Sequence, residues 1–172
     1  MKQLAIVLSV VTLTACGYAL AGGSLPPTIK TVGIPPFLNK SSTGDIDRVL
    51  TESVRTEFQG HRRYSIVPDG VGVDAVLRGT ITSVRLDPSS LTTSGQARTM
   101  AITITASLEF VTTSDNKVYW SNPNWLLREE YEVTTATAPN DPAAFLAANA
   151  PAYERLAKKF ASSLVTQIFE VF

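Results

Sequence analysis

Residues 97–111, ARTMAITITASLEFV, alternate apolar and polar side chains over most of their length. Because the side chains of a strand point alternately to its two faces, this period predicts a long strand with one buried and one solvated face. The predicted buried face holds Met100, Ile102, Ile104, Ala106, Leu108 and Phe110. The predicted solvated face holds Thr99, Thr103, Thr105, Ser107 and Glu109. Such a strand fits an antiparallel sheet that is covered on one side only.

Several shorter segments are predicted to be the neighbours of this strand. Residues 29–34, 64–67 and 75–86 have strand-like composition and are bounded by proline or turn residues. An exit loop is predicted over residues 87–95, which are rich in Ser and Thr. A turn at residues 114–116 is predicted to return the chain as a hairpin.

Two segments have the apolar spacing of amphipathic helices. In the first, apolar residues recur three and four positions apart, and Asp45 or Thr43 is available as N-cap; they are Ile46, Val49, Leu50, Val54 and Phe58. Asp141 and Pro142 are predicted to begin the second helix, which Pro151 should kink or split. The predicted fold is therefore α+β, a two-layer sandwich with two main helices on one face of a roughly four-stranded, mostly antiparallel sheet.

The N-terminus has the pattern of a bacterial lipoprotein signal peptide. Lys2 precedes an apolar stretch of about ten residues, half of what a membrane-spanning helix needs. Leu13, Thr14, Ala15 and Cys16 match a lipobox. We therefore predict a cleaved signal peptide (residues 1–15), a tether lipidated on Cys16 (16–28) and a single domain (29–172).

Cys16 is the only cysteine, so the fold has no intrachain disulfide to stabilise it. The residue after Cys16 is Gly17, whereas an Asp at this position is the usual inner-membrane retention signal in enteric bacteria. We therefore expect an outer-membrane location, with the protein lipid-anchored on the periplasmic face.

The sequence gives little support for catalysis, metal binding or nucleic-acid binding. The single histidine, His61, lies in a polar loop and is interpreted as a cation near the end of the first helix. The acidic pairs Glu129 with Glu130 and Asp45 with Asp47 are interpreted as solvated surface. No phosphate-binding glycine motif is present, and 15 cations balance 15 anions. We expect neither an enzyme nor a bound cofactor.

A family resemblance adds to this interpretation. The chain resembles the LPS-assembly lipoproteins, the LptE or rare lipoprotein B family, in the order of its motifs. These are CGYAL at 16–20, IPPF at 34–37, DAVLRGTITSV at 74–84, VYW at 118–120 and RLAKKFASSLVTQIF at 155–169.

The resemblance implies both a fold and a role. Members of this family have two helices packed on a four-stranded sheet and sit as a plug inside the outer-membrane β-barrel LptD. The pair delivers lipopolysaccharide to the outer leaflet. The resemblance therefore implies an LptD-type barrel and lipopolysaccharide as partners, besides the membrane that holds the acyl anchor.

Lipid binding in this family is attributed to basic side chains near loop ends, where cations can meet lipid phosphates. The loop SSLTTSGQA has no cation of its own, so the candidates at its rims are Arg85 and Arg98. Lys117 and Arg128 form a second candidate group. The alternative is that all four are ordinary solvated cations at strand ends.

Two other classes of function stay open from the sequence. The protein could be an outer-membrane lipoprotein that regulates a periplasmic envelope enzyme or a transporter. A hydrolase acting on envelope polymers is the third class, and it would have to use Glu129 or Glu130.

Overall fold

The computed structural model describes residues 25–132 and 141–170, so the predicted signal peptide, Cys16 and most of the tether lie outside the described residues. The strands of the described part are β1 (Thr31–Gly33), β2 (Leu38–Asn39), β3 (Ser65–Val67), β4 (Ala75–Leu91), β5 (Ala97–Thr112) and β6 (Val118–Glu132). The helices are α1 (Ile46–Gly60), α2 (Pro142–Ala148) and α3 (Ala150–Glu170).

The strands form one mixed sheet in the order β3-β1-β4-β5-β6, with β2 also paired to β4. The long pairs β4–β5 and β5–β6 are antiparallel, as the sequence predicts. The short pairs β1–β3, β1–β4 and β2–β4 are parallel. The α+β class is confirmed, but the sheet has six strands rather than four. Because α1 connects β1 to β3 as a crossover, those two strands run in the same direction.

The alternation of β5 is confirmed by the core of the domain. All six residues predicted for its buried face are at most 1% exposed. The helices cover this face, where the Phe160 ring of α3 lies edge-on to Trp125 of β6 at 4.6 Å between centroids. The other face of β5 is only half-buried at its Thr and Ser residues, since no helix of the described part covers it.

The predicted exit loop at residues 87–95 is wrong over its first half, because β4 continues through Pro88 to Leu91. Pro88 interrupts the strand less than expected, since it lies at an irregularity where the pairing with β5 shifts between Pro88 and Ser90. The turn itself is short. Thr92 N–H donates to the Gln96 carbonyl at 2.7 Å, and Gly95 has the left-handed φ of 79° that glycine adopts without strain.

The predicted N-cap of the first helix is also wrong in its chemistry. Asp45 occupies the N-cap position, but its backbone is left-handed at φ 57° and its side chain makes no capping hydrogen bond. Thr43 is buried, and its Oγ1 has no hydrogen-bond partner among the described residues. The preceding loop is organised by Asn39 instead, whose Nδ2 donates to the Thr43 carbonyl at 2.8 Å.

The predicted start of the second helix is confirmed. The Asp141 carboxylate accepts hydrogen bonds from the backbone N–H groups of Ala143 and Ala144, at 3.3 and 3.2 Å. The helical segment is split at Asn149 into α2 and α3, and Pro151 lies in the first turn of α3. Proline is tolerated there because the first helical N–H groups have no intrahelical acceptor.

Asp74 joins the beginning of β4 to β1. Its Oδ2 accepts hydrogen bonds from the N–H groups of Lys30 and Thr31, at 2.9 and 2.8 Å, and from the Thr31 hydroxyl at 2.8 Å. The hydrogen bond from the Lys30 backbone, followed by those from Thr31, holds the pKa of the Asp74 carboxyl below its ordinary value of 3.8. These bonds therefore stabilise the folded protein when Asp74 is ionised.

We expect Asp74→Asn to lower the free energy of unfolding by about 1–2 kcal/mol at neutral pH, because the charge strengthens the bonds that Oδ2 accepts. Since the folded-state pKa is lowered, this stabilisation is present above 3.8 and is lost as the pH falls through the folded-state value. Urea unfolding at neutral and acidic pH measures it. The control is Asp87→Asn, which changes an exposed acid of β4. If wild type and Asp74→Asn still differ in their free energy of unfolding at acidic pH, the assignment is contradicted.

Candidate interaction surfaces

The side of β4, β5 and β6 that the described helices leave uncovered, which we call the open face, carries mainly polar side chains. Its strand pairing aligns residues in rows across the three strands. One row is Arg85, Thr103 and Arg128, and the next is Ser83, Thr105 and Leu126. The open face therefore carries the Thr-rich side of β5 that the sequence predicts to be solvated.

Two of the four predicted lipid-binding cations lie together on the open face. Arg85 and Arg128 both flank Thr103, one on each neighbouring strand. Because adjacent strands are about 4.8 Å apart, the backbones of these two arginines are separated by about 10 Å. Both side chains can therefore reach one anionic group above Thr103.

The charges of the open face are partly paired. An Arg128 guanidinium nitrogen lies 3.6 Å from a Glu130 carboxylate oxygen, and an Arg78 nitrogen lies 3.5 Å from Glu109. Arg85 makes no ion pair with any described residue. Exposed ion pairs of this kind contribute little stability and exchange readily for another anion. Arg85 and Arg128 are thus available to a negatively charged ligand.

The other two predicted cations lie elsewhere. Arg98 is exposed next to the β4–β5 turn, at the irregularity between the pairs Ser90–Thr99 and Leu91–Ala97, where it has no partner residue on β4. Lys117 lies at the opposite end of β5, where its carbonyl accepts from the Thr112 N–H at 3.0 Å. Thr112 is nine residues, about 30 Å, from Thr103 along the strand. The four cations therefore do not form a single site.

The two acidic pairs are separated by the structure. Glu129 bonds Lys159 of α3 at 2.7 Å on the helix side, whereas Glu130 pairs with Arg128 on the open face. Strand neighbours point to opposite faces, so these two carboxyl groups do not share a site. Asp45 and Asp47 lie at the start of α1, where Asp47 Oδ1 is 3.5 Å from Asn39 Nδ2.

A cleft of about 420 Å³ lies between β6 and α3. Two of its cations are already engaged, because Lys159 binds Glu129 and the Arg155 guanidinium lies 5.2 Å above the Tyr131 ring. Burial, followed by the nearby Glu129 charge, raises the pKa of Tyr131 to about 12. The Tyr131 phenol therefore stays neutral near neutral pH.

A second surface, which the sequence analysis missed, is the end of the domain from which the chain leads back to Cys16. We call it the tether end, and it comprises residues 25–31 and the loop His61–Tyr64. Leu25 is buried, and its N–H donates to the Tyr64 hydroxyl at 3.0 Å. His61 follows the end of α1 as predicted, with its ring 4.6 Å from that of Phe169. The sequence signal for this surface is the run of three basic or titratable residues at 61–63.

Two further observations bear on function. Among the helices of residues 25–132 and 141–170, none combines the length and apolar character needed to cross a bilayer. The same residues contain no group of three or more His, Cys, Asp or Glu side chains placed to hold a metal ion.

These features define a class, the small two-layer α+β domains with one helix-covered and one open sheet face. The family model described as lipopolysaccharide-assembly, LptE, matches residues 29–168. The chain therefore belongs to the LptE family and has a role in lipopolysaccharide assembly. The family resemblance found in the sequence is confirmed.

Comparison with solved structures supports the fold. Lipoprotein B from Nitrosomonas europaea is 16% identical, with a TM-score of 0.55 and coverage of 86% of each chain. A protein from Xanthomonas campestris is 14% identical, with a TM-score of 0.56 and coverage of 86% of this chain and 90% of that one. The PelC dodecamer from Paraburkholderia phytofirmans is 11% identical, with a TM-score of 0.52 and coverage of 86% and 93%. No match was found among curated protein sequences.

Proposed function

We propose that this protein is an outer-membrane lipoprotein, anchored through acyl chains on Cys16 and facing the periplasm, that plugs an LptD-type β-barrel. In this role it supports assembly of the barrel and helps deliver lipopolysaccharide to the outer leaflet. The membership in the LptE family supports the general role. The open face is the structural observation that supports the plug.

The open face fits the wall of a wet barrel. The lumen of a large outer-membrane barrel is polar, and a domain inside it must present side chains that can exchange hydrogen bonds with water and with the wall. The Thr and Ser hydroxyls of β5 are half-buried and unshielded by the described helices. Leu126 adds an apolar contact, because it is 59% exposed beside Thr105.

Lipid contact is proposed for the four predicted cations, in two different settings. Arg85 and Arg128 are placed to bind one phosphate group jointly across Thr103, because guanidinium groups bind phosphate through paired hydrogen bonds. Arg98 and Lys117 are proposed to make separate contacts at the two ends of β5. At Arg85 and Arg128, the barrel wall and the lipid phosphate would then meet the same open face.

A site-specific crosslinking experiment tests the plug. We expect a photoreactive side chain at Thr103 to crosslink a large β-barrel in intact cells, and the lipidated protein to co-purify with that barrel in equal amounts in mild detergent. Lys158, exposed on the helix layer, is the comparison position. If both positions crosslink the barrel, the proposal of a plug stands, but the open face has no specific role in it.

The other possible results exclude the plug. Crosslinks from Thr103 to a cell-wall synthase or a transporter subunit would replace the plug with the regulator of an envelope enzyme or transporter. If neither position crosslinks a barrel and no barrel co-purifies, the proposal is wrong.

A further inference from the structure

We propose that the tether end is a membrane-docking surface that binds the anionic phospholipid headgroups around the acyl anchor. The proposal rests on the lipidation of Cys16 that the proposed function includes. It adds a second, electrostatic contact between the folded domain and the bilayer, carried by Arg62, Arg63 and Lys30.

The tether end is fixed to the domain by several contacts. Ser65 N–H donates to the Lys30 carbonyl at 2.8 Å, which places Lys30 beside the loop that carries Arg62 and Arg63. Lys30, Arg63 and Tyr64 line one shallow cavity of about 200 Å³ with the first described residues, Leu25 to Pro27. The chain therefore leaves the domain between these cations.

The distance to the lipid is short. Cys16 lies nine residues before Leu25. A fully extended chain spans at most about 3.3–3.6 Å per residue, so this stretch reaches no more than about 32 Å. An acyl chain on Cys16 therefore keeps Leu25, the first described residue of the tether end, within that distance of the headgroups, whatever the conformation of the tether.

The charge of the tether end is complementary to an anionic membrane. Arg62, Arg63 and Lys30 are exposed and make no ion pair with a described residue. Asp74 is the nearest acid along β1 and β4; its ionised carboxylate accepts hydrogen bonds from the Lys30 and Thr31 backbone and offsets one of the three positive charges.

The remaining charges of this end of the domain lie at different distances from the tether. Asp115 and Lys117 belong to the β5–β6 turn, which is three strand spacings, about 14 Å, from β3. Glu170 is nearer, because it follows Phe169, whose ring contacts those of His61 and Tyr64 at 4.6 and 5.6 Å between centroids. Three cations, Lys30, Arg62 and Arg63, thus face two acids, Asp74 and Glu170, which leaves a small local excess of positive charge, although the whole chain has a formal net charge of +0.

The size of the effect follows from membrane electrostatics. Each Lys or Arg close to an anionic surface contributes about a fivefold preference for the bound position, and the preference falls as salt is added. Loss of two such cations should therefore reduce the ratio of docked to undocked domains by roughly twenty- to thirtyfold.

The test uses the full lipidated protein in vesicles. A fluorophore on Ser65→Cys, at the tether end, is compared with one on Ser94→Cys, in the β4–β5 turn at the far end of the sheet. Quenchers attached to lipid headgroups report which site lies at the surface. We expect Ser65→Cys to be quenched on vesicles containing phosphatidylglycerol, more weakly on phosphatidylcholine alone, and Ser94→Cys on neither.

Paired variants distinguish the effect of the cations at the tether end from a general effect of positive charge. Arg62→Ala with Arg63→Ala should produce the expected loss of quenching at Ser65→Cys on phosphatidylglycerol vesicles. Arg48→Ala with Lys158→Ala removes the same charge from exposed positions on the helices and should leave quenching unchanged. Thermal unfolding checks that all variants stay folded.

Two results would overturn the proposal, and they are distinguishable. If all variants float with the vesicles but Ser65→Cys is quenched equally on the two lipid compositions, the anchor stands and the docking surface is wrong. If mass spectrometry finds no acyl chains on Cys16 and no variant floats with phosphatidylcholine vesicles, the anchor of the proposed function fails, and the docking proposal fails with it.

Discussion

We expect Phe160→Ala to lower the free energy of unfolding by about 3–5 kcal/mol, because truncation of a fully buried aromatic ring removes its contacts and leaves a cavity. Phe160 is 0% exposed. Its ring contacts Trp125 of β6 at 4.6 Å and Phe37, beside β2, at 6.3 Å between centroids. The side chain therefore joins α3 to both halves of the sheet, so that collapse of the surroundings into the cavity is restricted.

Chemical denaturation of the purified domain measures this change. Ser162→Ala, on the same helix and only half-buried, is the matched control and should stay within about 0.5 kcal/mol of wild type. A loss below about 1 kcal/mol for Phe160→Ala would contradict the packing of α3 against β6. The same variant should reduce the amount of protein in cells, because a destabilised domain is unfolded and degraded more often.

The elements predictable from sequence are those with a long apolar period. β5 alternates buried and half-buried residues from Ile102 to Phe110, so its faces follow from the sequence alone. α3 has a stripe of buried residues over 21 positions, and the Asp141 cap is local chemistry. In each case the information lies within one segment.

The parallel strands could not be predicted in the same way. β1, β2 and β3 contain only two or three residues each, so the alternation of their side chains is too short to indicate how the strands are oriented in the sheet. Their pairing depends on α1 returning the chain across the sheet, which is a tertiary property. The continuation of β4 through Pro88 likewise depends on an irregularity in its pairing with β5.

Prediction of the candidate site would also have required knowledge of the strand pairing. Arg85 and Arg128 are separated by 43 positions in the sequence and meet only because both pair with Thr103. The pairing shifts at irregularities between Ile81 and Ser83 and between Ala106 and Leu108. Since a shift by one residue moves every side chain to the other face, the sequence could nominate these arginines but could not place them together.

The second large effect is expected at Gly79, in the DAVLRG segment of β4. A Cβ at this position would lie 2.7 Å from Cδ1 of Phe37 and 2.9 Å from Cδ2 of Leu108. Both side chains belong to the core and cannot move freely. We therefore expect Gly79→Ala to lower the free energy of unfolding by about 1–3 kcal/mol, although alanine restricts the unfolded chain more than glycine does.

A double-mutant cycle identifies the cause. If the added methyl group clashes with the Phe37 ring, Phe37→Leu should cost less in the Gly79→Ala background than in wild type, because the smaller side chain leaves room for the methyl group. Gly60→Ala, where nothing lies within 4 Å of the added Cβ, is the matched control and should be neutral or stabilising, since it lies in the last turn of α1. Additive effects of Gly79→Ala and Phe37→Leu would show that Phe37 does not determine the need for glycine. Glycine is required at position 79 because it leaves room for the Phe37 ring, carried by the segment between β1 and β2, beside β4.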